Sequence, residues 1–108
     1  MKKEIKTRWL AALRSGQYKQ TRNTLTDGKR FCCLGVLCNL HAIETGRTWQ
    51  ETSDAITYGF QHLTLPPSVM EWAELDSKSP VVGNRKLSEA NDQGMSFKKI
   101  AELIDAHL

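Results

Sequence analysis

Cys32, Cys33, Cys38 and His41 are the densest set of chemically versatile side chains in the sequence. Two chemistries use such a set: zinc ligation by thiolate and imidazole, and attack by a thiolate whose proton an imidazole accepts. For zinc, Cys38 and His41 stand at i and i+3 and share one face of a helix. Cys33 and Cys38, however, are five apart and point about 140° from each other at 3.6 residues per turn, and no Cys-x-x-Cys pair is present. The spacing predicts no metal. For catalysis, His41, His62 and His107 offer imidazoles, and Asn39 and Asn91 offer amides that would orient one. All three thiols fall in the most apolar stretch of the chain, where burial raises a thiol's pKa and suppresses its thiolate. They read as reduced, buried small hydrophobes.

No other catalytic grammar stands out. The seven glycines are scattered singly, none in a phosphate loop, and nothing singles out a working pair among the twelve carboxylates. The expectation is a non-enzymatic protein without cofactor. Asn91-Asp92-Gln93-Gly94 is a candidate polar loop, offering Asn91 and Asp92 to a ligand.

Charge is more informative than its total of +3 suggests. Residues 1–30 carry nine basic side chains against two acidic ones, +7, whereas the rest carry six against ten, −4. A basic lobe raises the local concentration of anionic partners. Lys2, Lys3, Lys6, Arg8, Lys19, Arg22, Lys29 and Arg30 are the candidate contacts, for a nucleotide, a nucleic acid or an acidic protein surface. Trp9 and Tyr18 interleave with them, and stacking plus phosphate neutralisation is how single strands are held. Trp9, though, shares its helix face with Ile5 and Leu13 and belongs to a core. Zinc-finger, OB-fold and RRM signatures are missing, and the apolar stretch 32–43 cannot serve as a polar recognition helix.

The elements that must position these residues follow from periodicity. Ile5, Trp9, Leu10 and Leu13 predict an amphipathic helix over 2–14, stopped at Ser15-Gly16. Asp27-Gly28 predicts the turn of a β-hairpin over 18–32. The apolar run 32–43 reads as a helix buried on most faces, with Gly35 marking a close approach. Alternation predicts a strand near 56–60, and Pro66-Pro67 opens a helix over 65–75. A brief strand follows at 80–82, and 87–94 reads as a strand or a helical turn. Ser96 caps a helix from 97 to 107 on which Phe97, Ile100, Ala101 and Ile104 share a face. The expected architecture is α+β: one domain over 1–108, with about four helices around a small antiparallel sheet that includes the hairpin.

Length and composition agree. At 108 residues and 40% hydrophobic, one core is possible and a second domain is not; a chain this size buries roughly two-thirds of its unfolded surface. No apolar run approaches the roughly 18 residues of a membrane span. The first residues are followed by an amphipathic pattern rather than the apolar core of a signal peptide, so the expected compartment is the cytoplasm.

Trp9-Leu10-Ala11-Ala12-Leu13-Arg14-Ser15-Gly16-Gln17-Tyr18, the stretch from Phe31 to Leu40, Leu65-Pro66-Pro67, and Asn91-Asp92-Gln93-Gly94-Met95-Ser96-Phe97 with Ile100-Ala101 form an ordered set covering most of the chain. On these residues the sequence resembles a group of small phage and prophage proteins of uncharacterised function. Asn39 stands where similar sequences commonly carry aspartate. The resemblance implies a phage origin and a role inside the infected bacterium, and no catalytic residue. The expected function is that of an accessory protein binding a host or anti-phage defence component, either a protein or a small anionic nucleotide. Direct nucleic-acid binding is the alternative, and a small cysteine-dependent enzyme the third.

Overall fold

Ile5, Trp9, Leu10 and Leu13 are all buried, and the helix they predict forms as α1, Lys3–Arg14. A computed structural model describes residues 1–108. Beyond Arg14 the chain turns at Gly16, whose φ of +76° is the left-handed conformation that a glycine adopts without a side-chain clash. The apolar run folds as α2, Cys33–Thr45, with eight buried residues on nearly every side, and ends at Gly46. Gly35 is there because the loop crosses α2 at that point: a Cβ on it would overlap the backbone carbonyl oxygen of Leu25.

The rest of the chain closes around α2. Strands β1, Gln50–Glu51, and β2, Ile56–Thr57, pair antiparallel with Gln50 opposite Thr57. Helix α3, Pro67–Ala73, starts at the two prolines. Strands β3, Val81–Val82, and β4, Arg85–Lys86, form a second antiparallel ribbon. Helix α4, Leu87–Asp92, leads to α5, Phe97–His107, whose Ser96 Oγ accepts from the Lys99 amide at 3.3 Å. Helix α5 packs along α1, and α2 packs against α1, α3 and α4. Trp9, Leu34, Leu37, Leu87, Ile100 and Ile104 lie at the centre of one continuous core.

The class is α+β, as expected, in one compact domain, but two details differ. There are five helices, because of the two readings of 87–94, strand or helical turn, the helical one forms, as α4. The expected single sheet is two separate ribbons, and residues 18–32 join neither. That segment is a loop with isolated bridges, Gln20 to Phe31 in parallel and Thr26 to Phe31 in antiparallel. Asp27-Gly28 does make the expected tip, with the Asp27 carboxylate accepting from the Lys29 and Arg30 amides. Beyond the tip no strand alternation exists to continue pairing, and the backbone finds other partners: Leu25 donates to His62 and accepts from Cys32.

Candidate functional site

The thiols are placed by α2 and by the loop feeding it. Cys32 is the helix's capping residue, its Sγ accepting from the Gly35 amide at 3.4 Å, and Cys33 donates to the Leu87 carbonyl. All three are buried and unbridged. Burial pushes the Cys32 thiol up to about 11 and raises those of Cys33 and Cys38 further above the ordinary range. A proton held that tightly leaves no thiolate near neutrality. His41 faces away from this chemistry: its Nδ1 shares a 2.6 Å hydrogen bond with the Tyr58 hydroxyl, and its ring meets Tyr58 and Trp72 edge-on. No three His, Cys, Asp or Glu side chains gather where a metal ion would sit.

The polar loop divides into a buried part at Asn91 and an exposed part at Gln93 and Gly94. Asn91 is 0% exposed inside α4. Its Oδ1 accepts from the Gln20 side chain at 2.8 Å and the Cys33 amide at 3.2 Å, while its Nδ2 donates to the Thr21 carbonyl at 2.8 Å. Asp92 accepts from the Asn23 amide at 2.8 Å. Both residues hold the 20–33 loop against α4. The Asn91 amide is thus engaged within the fold, whereas Asp92 is half-buried and lines a surface recess with Asn23, Cys32 and Ser88.

The eight basic candidates are dispersed by the fold. Arg8 pairs with Glu44 at 2.7 Å and lies over the Trp72 ring, and Glu44 also accepts from the Trp72 indole. Those two donors, with Trp72 foremost, hold the Glu44 carboxyl below its usual range. Lys6 donates to the Asp105 carbonyl, and Arg30 pairs with Asp27. Lys2 and Lys3 open α1 beside the end of α3, where the Lys2 amide bonds Ala73. Lys19 and Lys29 are exposed on the loop. Arg22 goes elsewhere: its guanidinium packs on Gly94, with Nη2 3.0 Å from where a Cβ on that glycine would stand.

That contact brings Arg22 to the rim of a recess of about 450 Å³ lined by Arg85, Gln93, Gly94, Met95, Ser96 and Lys99. Arg85 is held over it by a 2.9 Å hydrogen bond to the Gln93 side chain. Arg85 and Lys99 thus line the recess while Arg22 abuts its edge at Gly94, and none of the three has a carboxylate partner. Sequence reading found Arg22 but missed Arg85 and Lys99. Both lie in the acidic remainder of the chain, and only the packing of α4 and α5 brings them to the loop.

The chain belongs to the family described as a domain of unknown function (DUF8296), matched over residues 1–108. No curated protein and no solved structure matches it. In this DUF8296 member no helix is long and apolar enough to cross a membrane, and the most basic concavity lies between the 20–33 loop, β4 and the start of α5.

Proposed function

We propose that this chain is a non-enzymatic accessory protein of phage origin, working in the bacterial cytoplasm. Its task is to bind a component of the host or of its anti-phage defence. The component is a small anionic nucleotide, held through phosphate at the Arg22, Arg85 and Lys99 recess. The observation that carries this reading is a recess lined by Arg85 and Lys99, with Arg22 against its Gly94 edge and no carboxylate paired to any of the three. An anion placed against them would gain charge-assisted hydrogen bonds. Two of the three are arginines, whose planar fork matches phosphate oxygens. A volume of about 450 Å³ lies within the range of small-molecule pockets. Thiols held protonated favour binding over reaction. The phage origin rests on the resemblance carried by the 31–40 and 91–97 stretches.

The test is calorimetry of the purified protein with inorganic phosphate, a nucleoside monophosphate and a cyclic dinucleotide as probes. At least one nucleotide probe is expected to bind saturably, with affinity falling as salt rises. Arg85→Ala and Lys99→Ala should each weaken it about tenfold, the loss of one charge-assisted contact. Absence of binding by every probe at low salt would overturn the proposal. A single-stranded oligonucleotide bound with a steep salt slope, and weakened equally by Lys19→Ala and Lys29→Ala, would replace it with nucleic-acid binding along the extended basic surface.

A further inference from the structure

Phe31 and Trp49 are half-buried and stand side by side, their ring centroids 5.9 Å apart. The Trp49 indole donates to the Asn39 side-chain oxygen at 3.0 Å, and the amide nitrogen of the same side chain donates to the Tyr18 hydroxyl at 2.8 Å. Tyr18 in turn meets the Phe31 ring edge-on, at 5.2 Å between centroids. Asn39, on α2, thus fixes one ring directly and braces the other.

The two rings line a crevice of about 190 Å³ between the tip of the 20–33 loop and the β1–β2 ribbon, completed by Thr26, Gly28, Glu51 and Ile56. Loop and ribbon close on each other where a Cβ on Gly28 would come within 3.2 Å of the Ile56 Cδ1. The volume falls below the roughly 300 Å³ at which small-molecule pockets begin, so the fitting occupant is a single side chain. Its polar groups are unequal. The Thr26 hydroxyl is engaged, donating to the Arg30 carbonyl and accepting from the Gly28 amide. Glu51 is exposed and its carboxylate has no cation partner: Lys29, next to Gly28, makes no ion pair with it, and Arg30 turns to Asp27 at 2.8 Å. The neighbouring recess, which shares Thr26 and Ile56, is lined by Asp27 and Asp54 and by no lysine or arginine.

We propose that this crevice takes the guanidinium of an arginine side chain, carried by a basic segment of a partner protein. Walls and charge together select that occupant. A hydrocarbon side chain would cover the rings but strip water from Glu51 without pairing it. An anion would meet like charge. A cation suits both features, since aromatic rings, indole above all, attract positive charge through their quadrupoles, and a carboxylate accepts two parallel N–H bonds from a guanidinium. Shape decides against ammonium: the guanidinium is planar and more weakly hydrated, so it lies on a ring and pairs with a carboxylate at a smaller desolvation cost. None of these residues lines the Arg22 recess, so the site stands or falls independently of nucleotide binding.

The probe is N-acetyl-arginine amide, titrated into the isotope-labelled full chain while the indole resonances of Trp9, Trp49 and Trp72 are followed by NMR. The Trp49 resonance should shift saturably, with the millimolar dissociation constant suited to one side chain, while the other two hold still. The citrulline counterpart, which keeps the shape and lacks the charge, should give no saturable shift. The lysine counterpart should bind about threefold more weakly or worse. Glu51→Gln, an exposed substitution that the fold should tolerate, should weaken the arginine probe about fivefold or more. A Trp49 resonance unmoved by tens of millimolar arginine probe, equal binding of the arginine probe and either counterpart, or an affinity unchanged by Glu51→Gln would overturn the proposal.

Discussion

Asn91, near the end of α4, accepts a hydrogen bond from the amide of Cys33, the first residue of α2, 58 positions earlier in the chain. The central helix is therefore capped in part from a distant element. The same side chain fixes the loop that delivers α2, through Gln20 and Thr21. Replacing Asn91 with leucine would leave the buried Cys33 amide and Thr21 carbonyl without partners, while the Gln20 side chain keeps its 2.8 Å bond to the Met95 carbonyl. The expected cost is about 3 kcal/mol, since each orphaned buried group costs ~1–3 kcal/mol and neighbours relax in part. Urea unfolding measures it, and a change under half a kcal/mol would show that the network is dispensable.

Gly35→Ala sets two effects against each other. Alanine gains about 1 kcal/mol of helix propensity over glycine. The new methyl, however, meets the Leu25 carbonyl, which is backbone held by hydrogen bonds and cannot swing aside. Overpacking of this kind costs ~3 kcal/mol or more, so the clash decides the sign. Thermal melting should show a markedly destabilised variant; a raised midpoint would mean that the loop moves freely over α2.

His41 gives stability a dependence on pH. Burial, with Arg47 adding and Glu44 opposing, lowers its pKa below the ordinary value. Its proton is therefore taken up more readily by the unfolded chain than by the folded one. That contribution to stability is full above imidazole's ordinary pKa of about 6.5 and is lost as pH falls through and below it. Urea midpoints measured between about pH 7.5 and 5.5 should decline on acidification, and His41→Gln should flatten that part of the decline. Equal slopes for the two proteins would refute the assignment.

The thiols should resist alkylation in the native protein at neutral pH and all react once urea unfolds it. Cys32, at the start of α2 and lining a surface recess, should be the first to yield as denaturant rises. Rapid native labelling of any one of them would reopen thiol chemistry.

Much of the architecture was legible because it is written locally. Ser96 with the Phe97, Ile100 and Ile104 spacing predicts α5 from 97 to about 107, and the apolar run around Gly35 predicts both α2 and its close approach. The 18–32 segment misled because Asp27-Gly28 specifies only a tip, while the path beyond it is set by Asn91 and His62 from two other regions. Which basic residues lie near one another was hidden for the same reason. Arg22 carries no local mark distinguishing it from Lys19 or Lys29, and its neighbours at Gly94 and Lys99 lie more than seventy positions on. Phe60 was read as part of a strand, since alternation with Tyr58 says nothing of a left-handed turn between them.

The packing of α1 on α5 has a consequence in time. During synthesis Ile5 and Trp9 emerge long before Phe97 and Ile104, which complete their shelter, so the nascent chain carries an apolar helix face for most of its elongation. Pairing the earliest helix with the latest defers the cooperative step until α5 has left the ribosome. That interval is when the chain is most exposed to chaperones and proteases, and when misassembly between neighbouring nascent copies would begin.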